Sequence, residues 1–261
     1  MATNENLSFP ELLERVFANK NRSLYHHTSY ESLVLILKNR SLRLTRYDLM
    51  NDIAEKELSK CEPGDNRYIA SFTSAKTENV AMWALYGKNS SLKLRVAFPQ
   101  EVLTDSVRNN FYFDSLKRQK IPSERTNTVS SDISKKGFSI SDVVYFDRDK
   151  LSLRLAGKPI SNLTVTEEMI SELAGTIKYD AWEYEREARL SVVLHQENEF
   201  PQDITHIYAG LSDELISKMT IVYNPWINDT LFQTLSESID NIAGCKLNHK
   251  KSDLHGEITE L

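Results

Sequence analysis

Tyr25-His26-His27-Thr28-Ser29 is the stretch on which the predicted fold depends most, together with a second segment much later in the chain, Trp182-Glu183-Tyr184-Glu185-Arg186-Glu187-Ala188-Arg189. The first segment combines a phenol, two imidazoles and two hydroxyls. The second combines carboxylates with guanidinium groups. Neither segment alone would indicate a function, so the prediction depends on both of them.

The adjacent histidines of the first segment point to opposite faces if the segment is a strand. One of them then faces a cleft, and the other faces the core or the solvent. Thr28 and Ser29 open the following helix, whose free backbone amides favour contact with an anion or a ribose. The alternative is a structural role, because an imidazole can satisfy backbone groups on both of its sides.

The second segment, continued through Leu194, is predicted to form one strand. Its even positions then form the core face, and its odd positions carry the charges. The charged side chains follow one another at a spacing of ~6.5–7 Å, and they are Glu183, Glu185, Glu187 and Arg189. Such a row stabilises a developing cation or accepts protons, and Arg189 holds Glu187 in its ionised form.

Two alternatives remain for this charged segment. A solvated strand face would use the charges only to keep a sheet edge soluble. A surface helix would also fit, because Glu183 with Glu187 and Glu185 with Arg189 are spaced i,i+4. The β-like continuation from Leu190 to Leu194 favours the strand.

Periodicity and capping residues predict the remaining elements. Helices are predicted over 10–17 with Ser8 as N-cap, 29–37, 77–87, 166–178, 212–218 and 230–242. Strands are predicted over 24–28, 41–45, 68–74, 92–98, 143–146, 206–210 and 220–223. Strict alternation is typical of a half-buried strand at 92–98. Helices and strands follow one another without a regular βαβ rhythm, which predicts an α+β fold with a mixed or mostly antiparallel sheet.

Length and composition predict one globular domain over residues 1–261. The hydrophobic share of 40% is enough for a proper core. Residues 104–142 are polar, and the run Ser123–Ser131 has almost nothing to bury, so this stretch is predicted to be a long surface insertion that gates a cleft.

The charge and the cysteines limit the class of protein. A formal charge of -5 gives no global attraction to nucleic acid or to anionic lipid. The two cysteines, Cys61 and Cys245, are too few for a disulfide framework and lack the spacing of a zinc site. The polar N-terminus is no secretory signal, and no run of ~18 apolar residues occurs. We therefore expect a cytoplasmic protein that does not span a membrane.

Several common catalytic motifs are missing from the sequence. It has no glycine-rich phosphate loop, no Gly-x-Ser-x-Gly elbow and no His-Glu-x-x-His motif, which leaves P-loop, serine-hydrolase and zincin chemistry without support. His195, His206, His249 and His255 lack metal-ligand spacing with one another. We therefore expect no metal.

Five segments carry a resemblance to a known family. They are Leu24-Tyr25-His26-His27-Thr28-Ser29, Leu42-Arg43-Leu44 with Asn51-Asp52, Ser71-Phe72-Thr73, Met82-Trp83-Ala84-Leu85-Tyr86-Gly87 and the charged segment 182–189. In this order they resemble an uncharacterised bacterial domain family that is grouped with the ADP-ribosyltransferase-like fold. The resemblance spans about residues 24–195 and implies mixed, mostly antiparallel sheets that form a cleft with flanking helices.

The resemblance also implies roles for single residues in binding NAD as the substrate. In the wider superfamily, a Tyr-His-x-Thr strand holds the ribose and nicotinamide, and an aromatic ring stacks on the nicotinamide. Here the strand residues would be Tyr25, His26 and Thr28, with His26 as the ribose contact. Tyr86 or Trp83 would be the stacking aromatic, and Arg43 is a further residue assigned to NAD binding.

A late glutamate of the superfamily stabilises the ribosyl cation. In transferases with a Glu-x-Glu pair, the first glutamate activates the acceptor and the second is catalytic. By resemblance Glu185 activates the acceptor and Glu187 stabilises the cation. One departure is His27, which stands where the commonest form of the strand motif has a glycine.

The function that these roles imply is NAD-dependent ADP-ribosyl transfer to a protein or nucleic-acid acceptor. The setting would be a bacterial toxin or phage-defence effector, with an antitoxin or another protein as a partner. A glycohydrolase that uses water as acceptor is one alternative, and an inactive module that senses a nucleotide or binds a protein is another. A further hypothesis is single-stranded nucleic-acid binding through Lys117-Arg118-Gln119-Lys120 with the aromatic residues 111–113.

Overall fold

The computed structural model describes residues 5–50, 65–86, 92–114, 119–121, 137–161, 163–195 and 204–258. Its helices are α1 (Phe9–Phe17), α2 (Tyr30–Asn39), α3 (Val80–Leu85), α4 (Gln100–Val107), α5 (Glu167–Glu172), α6 (Asp213–Ser217) and α7 (Asp229–Ala243). Its strands are β1 (Glu5–Asn6), β2 (Ser23–Ser29), β3 (Ser41–Arg46), β4 (Asp65–Thr73), β5 (Lys93–Pro99), β6 (Phe111–Asp114), β7 (Gln119–Lys120), β8 (Phe138–Asp142), β9 (Val144–Asp147), β10 (Ser152–Leu155), β11 (Lys158–Ser161), β12 (Ile177–Tyr179), β13 (Glu187–His195), β14 (His206–Gly210), β15 (Thr220–Tyr223) and β16 (Asn248–Lys251). Short 3-10 helices cover Tyr47–Leu49 and Asp180–Glu185.

The predicted caps hold the ends of several helices. At the start of α1 the backbone N–H and the hydroxyl of Ser8 each donate to Glu11 at 2.7 Å. The Ser29 hydroxyl caps α2 by accepting from the Ser32 N–H at 3.2 Å. Such a cap stabilises a helix by about 1 kcal/mol. The sequence predictions for α1, α2 and α7 are therefore confirmed.

One predicted helix and one predicted strand differ from the structure in extent or burial. The helix predicted through Lys178 ends at Glu172, because Gly175 has a left-handed backbone with φ +77 that an α-helix does not contain. The strand predicted to be half-buried, β5, is buried from Leu94 to Phe98. It lies between β2 and β15, and both of its faces are covered, so the polar position Arg95 is buried as well.

The chain divides into two compact units. The first consists of Met1–Asn19, Arg43–Ser71 and Phe111–Tyr208, and the second of Lys20–Leu42, Phe72–Asn110 and Ala209–Leu261. Each unit is assembled from segments that are distant in sequence. The expectation of a single domain over 1–261 stays a prediction.

The first unit contains a five-stranded sheet in the order β1-β11-β10-β9-β12. The pairs β1–β11 and β9–β12 are parallel, while β9–β10 and β10–β11 are antiparallel. Leu12 and Val16 of α1 join the buried apolar cluster of this sheet, together with Val144, Leu153 and Ile177. Each such side chain contributes roughly 1.5–3 kcal/mol on burial, which fixes α1 against the strands.

A second sheet of the first unit positions the charged segment. β13 pairs with β4 and β8, and its antiparallel register with β8 places Arg189 opposite Ser141. β3 pairs antiparallel with β4 through Thr45 and Ile69. β13 is therefore an interior strand with a neighbour on each edge, and its residues 187–194 are buried on both faces.

The second unit is built on the strand order β16-β15-β5-β2, with the end of β4 beside β2. β15 and β16 are parallel, whereas β5 is antiparallel to both β15 and β2. Tyr25 on β2 pairs with Thr73 on β4. Helix α7 packs on α2 in this unit, where Tyr30 and Ser238 share a hydrogen bond of 2.9 Å.

The predicted insertion at 104–142 includes regular structure. Strand β6 pairs with β7, and β8 pairs with β13. The side chains of Phe111 and Ile140 are buried. The polar run 123–131, the basic pair at 117–118 and the predicted positions Asn51, Asp52, Cys61 and Gly87 lie outside the described residues.

These strands and helices confirm the α+β class with mixed sheets. Parallel and antiparallel pairs occur in both units. Across the stretches that the structure describes, no helix is both long enough and apolar enough to span a bilayer.

Candidate functional site

The charged segment is not the single strand that its sequence predicts. Asp180–Glu185 is a 3-10 helix, and Arg186 adopts a left-handed backbone with φ 43. The Arg186 N–H closes this turn by donating to the Glu183 carbonyl at 3.1 Å. The strand begins at Glu187, so the prediction is wrong for residues 182–186, and so is the alternative of a surface α-helix.

The three carboxylates consequently have different surroundings. Glu183 accepts from Arg154 Nε at 2.9 Å, and both side chains are partly exposed. Glu185 and Glu187 are each only 4% exposed, and Arg189 is fully buried. The alternative of a solvated strand face is therefore wrong as well, because Glu185 and Glu187 are buried.

Glu185 and Glu187 share one ammonium group. Lys178 Nζ donates to Glu185 Oε2 at 2.8 Å and to Glu187 Oε2 at 3.3 Å. Lys178 comes from β12, a strand that begins at Ile177, where a helix was predicted to continue through Lys178. It also lies 4.5 Å from the centre of the Trp182 ring, which adds a cation–π contact.

Arg189 holds Glu187 from the same strand face. Its Nε donates to Glu187 Oε1 at 2.8 Å and its Nη2 to Oε2 at 2.9 Å. Its third contact is Nη1 to the carbonyl of Gly175 at 2.8 Å. The guanidinium therefore fixes the carboxylate in one orientation.

The charges around Glu187 keep it ionised. Burial alone would raise the pKa of Glu187, but Arg189, Lys178 and a hydrogen bond from Ser71 lower that pKa to about 2. Burial would lower the pKa of Lys178, but Glu187 and Glu185 raise it. Two basic and two acidic side chains, Lys178, Arg189, Glu185 and Glu187, are thus joined by ion pairs. We call them the buried charge network.

Tyr145 supports the network from β9. Its phenol oxygen accepts the backbone N–H of Glu187 at 2.7 Å. Burial, and the charge of Glu187, raise the pKa of Tyr145, so the phenol stays protonated. A fixed, ionised carboxylate in such surroundings is suited to stabilise a positive charge that develops nearby.

Arg43 is the other predicted site residue of the first unit. It lies exposed on β3. The pKa of His206 is lowered mainly by burial and to a smaller extent by the charge of Arg43. Within the described part of the chain, no hydrogen bond or ion pair joins Arg43 to the buried charge network.

The remaining predicted site residues lie in the second unit, on β2 and near α3. Tyr25 stacks under the Arg95 guanidinium, whose carbon lies 3.7 Å from the ring centre. His26 contacts Phe72, with ring centres 5.6 Å apart. Thr28 is buried.

His27 points away from His26 and packs against other rings. Its imidazole contacts Trp83 at 4.9 Å and Tyr86 at 6.4 Å between ring centres. The prediction that the two histidines face opposite sides is therefore confirmed. Burial, with Arg95 and His26 nearby, lowers the pKa of His27 to about 3.

The two aromatic residues proposed to stack on nicotinamide differ in exposure. Trp83 is fully buried, and its indole N–H donates to Glu78 at 2.8 Å. Tyr86 is half-buried. Of the two rings, Tyr86 is therefore the more exposed, and the stacking role of either stays a prediction.

Several important residues were missed by the sequence reasoning. Lys178 was assigned to a helix, although the apolar-polar-aromatic order of Ile177–Tyr179 after a glycine is a strand signal. Arg95 lies in the strand predicted to be half-buried, and Tyr145 lies in the predicted strand 143–146, so neither position indicated a role. No local pattern marks Glu78, because its partners Ser252 and Asp253 are distant in sequence.

The comparisons with known proteins returned no match to a protein-family model, a curated protein or a solved structure. The described side chains include no group of three or more His, Cys, Asp and Glu that could hold a metal ion.

Proposed function

We propose that the chain is an NAD-dependent ADP-ribosyltransferase that acts on a protein or nucleic-acid acceptor, on an ADP-ribosyltransferase-like fold. The observation that carries this proposal is the Glu-x-Glu pair at 185 and 187, whose carboxylates share Lys178. The resemblance assigns the acceptor-activating and the catalytic carboxylate to these two positions.

The proposed chemistry breaks the N-glycosidic bond between nicotinamide and ribose. The transition state carries positive charge on the ribose, and a fixed carboxylate binds that state better than the neutral ground state. Glu187 supplies a carboxylate that is ionised and oriented before the substrate arrives, because Arg189 binds both of its oxygens. Little reorganisation of this group is then needed as the charge develops.

Glu185 has the second role in the proposal. It shares Lys178 with Glu187, and it is held from the 3-10 helix rather than from the strand. In a transferase it would take the proton from the attacking acceptor group. Tyr25, His26, Thr28, Tyr86 and Arg43 stay predictions as NAD contacts and are tested by their own substitutions.

The experiment is transfer of label from NAD to macromolecules in a cell lysate. The variants Glu187→Gln and Glu185→Gln should each lower transfer, with Glu187→Gln costing on the order of 10²–10³ or more in rate. Glu183→Gln is the matched control, because this third carboxylate of the segment pairs with Arg154 outside the network. Unchanged transfer in Glu187→Gln with normal folding contradicts the proposal.

Release of free ADP-ribose without labelled macromolecules would instead identify a glycohydrolase. In that enzyme water is the acceptor, and Glu187 keeps its role. The same Glu187→Gln variant then loses nicotinamide release.

One observation favours a second candidate function, a module that binds a nucleotide or a protein without turnover. Both oxygens of Glu187 already accept hydrogen bonds within the protein, and the side chain is 4% exposed. Such an arrangement is also that of a structural ion pair. Binding of NAD that is unaffected by Glu187→Gln, with no nicotinamide released by the wild type, would select this candidate.

A further inference from the structure

Arg67 on β4 is a buried cation that lacks a counter-ion among the described residues. It is 9% exposed, and its Nε has no hydrogen-bond partner. No ion pair joins it to a carboxylate in the stretches that the structure describes. An unpaired buried guanidinium is costly, because burial removes its hydration without supplying a compensating charge.

Gly175 leaves the room that Arg67 occupies. A Cβ at this glycine would lie 2.6 Å from Arg67 Cδ and 2.8 Å from its Nε. The carbonyl of the same glycine accepts from Arg189. Arg67 is therefore held beside the buried charge network.

Two unpartnered hydroxyls lie on the same sheet face as Arg67. Side chains two or four residues apart in a strand share a face. Arg67 and Ser71 therefore lie on one face of β4, and Glu187 and Ser191 lie on one face of β13. Ser71 hydrogen-bonds to Glu187, which joins these two faces into one. Ser141 is on this face as well, because it pairs with Arg189.

The hydroxyls of Ser141 and Ser191 are buried and lack partners. The two residues are 1% and 2% exposed, and neither Oγ has a hydrogen-bond partner. Buried polar groups in native proteins are rarely left unpaired. Three orphaned groups on one face, Arg67 Nε and these two hydroxyls, therefore indicate that something else completes them.

The charges on this face favour an anion. Lys178 and Arg189 are balanced by Glu185 and Glu187. The nearby carboxylate of Asp142 pairs in register with Ala188 and so lies on the opposite face. Arg67 is thus the surplus positive charge of these groups.

From this geometry we infer that the β4–β13–β8 face binds a small oxyanion of the phosphate class. Arg67 supplies the charge, and the hydroxyls of Ser141 and Ser191 donate hydrogen bonds. A guanidinium fork with hydroxyl donors matches tetrahedral oxyanions well. The anion would be either free phosphate or the phosphate group of a nucleotide. This inference does not depend on NAD turnover.

The test is thermal unfolding of the full chain during titration with inorganic phosphate, against sodium chloride at equal ionic strength. Ligand that binds only the folded state raises the Tm, on the order of 5–10 °C at 100-fold excess over Kd. Arg67→Met should abolish the phosphate-dependent rise. Arg154→Met is the matched control, because Arg154 pairs with Glu183 near the surface, and its rise should equal that of the wild type.

Two further arms make the result decisive. If adenosine monophosphate raises the Tm at a lower concentration than phosphate does, and adenosine does not raise it, the bound anion is the phosphate group of a nucleotide. If adenosine monophosphate and phosphate raise the Tm equally, the bound anion is free phosphate. If Arg67→Met does not fold, Ser141→Ala and Ser191→Ala should each shift the phosphate midpoint several-fold higher. A wild type that responds no more to phosphate or adenosine monophosphate than to chloride overturns the inference, as does an undiminished response in the variants.

Discussion

Arg189 binds both carboxylate oxygens of Glu187, the residue two positions earlier on the same strand, at 2.8 and 2.9 Å. The alternation of a strand places both side chains on one face, so a local sequence pattern produces a fully buried ion pair. Lys178 extends the pair to Glu185. The stability of the first unit and the proposed chemistry therefore depend on the same four side chains.

Replacing only Arg189 should lower the free energy of unfolding more than replacing both Arg189 and Glu187. Arg189→Met leaves Glu187 buried with only Lys178 and hydrogen bonds, which should lower the free energy of unfolding by about 3–5 kcal/mol. The double variant Arg189→Met with Glu187→Met should recover part of that loss. Urea denaturation of the wild type, the two single variants and the double variant measures the coupling energy between the two side chains. If the losses in the free energy of unfolding of the two single variants add up to that of the double variant, the pairing is contradicted.

Gly175→Ala should destabilise the protein for two reasons. Its left-handed backbone disfavours a side chain, and the new methyl group would meet Arg67 at 2.6 Å. Gly256→Ala is the matched control, since it has a similar φ of +80 with nothing within 4 Å of the added Cβ. We expect Gly175→Ala to cost about 1–3 kcal/mol more than the control in the free energy of unfolding. Equal costs would show that Arg67 is not packed against Gly175.

His27 should make the protein less stable as the pH falls from 6.5 toward 3. Its folded pKa of about 3 lies below the ordinary value of 6.5, so the unfolded chain takes up this proton first. Each pH unit in this window then removes up to about 1.4 kcal/mol. His27→Phe should reduce this slope while keeping the ring contacts with Trp83. The free energy of unfolding at pH 7, 6 and 5 is the measurement, and parallel curves for the two proteins would refute the assignment.

Glu78 should hold the C-terminal segment to Trp83 in the second unit. Its carboxylate accepts from the indole N–H at 2.8 Å, from the Asp253 N–H at 2.9 Å and from the Ser252 hydroxyl. Glu78→Ala leaves the buried indole N–H without its acceptor, which costs about 1–3 kcal/mol. Glu78→Gln keeps an acceptor oxygen and should cost clearly less. Hydrogen exchange of the Trp83 indole should rise in Glu78→Ala alone; unchanged exchange would show that this bond does not protect it.

Much of the fold could be predicted from local patterns. Ser8, Ser29 and Ser212 cap helices that begin where the sequence indicates, because a cap acts within three residues. The α+β class followed from the order of the elements. The opposite directions of His26 and His27 followed from strand geometry alone.

The buried charge network could be predicted only in part. The sequence indicated that Arg189 would hold Glu187, because both lie on one strand face. It could not show the turn at Arg186, where a residue other than glycine takes a left-handed backbone. Nor could it show Lys178, whose role arises because β12 brings it to the two glutamates. Burial on both faces of β5 and β13 likewise depends on the groups that pack above and below the sheets, which no local pattern shows.

The central claim is that Glu187 stabilises a ribosyl cation formed from NAD, and nicotinamide release tests it most directly. Both transfer and hydrolysis release nicotinamide, so the measurement does not require the acceptor to be known. The wild type and Glu183→Gln should release nicotinamide at comparable rates in the presence of lysate, while folded Glu187→Gln should be slower by on the order of 10²–10³ or more. No release by the wild type, or equal release by Glu187→Gln, would contradict the claim.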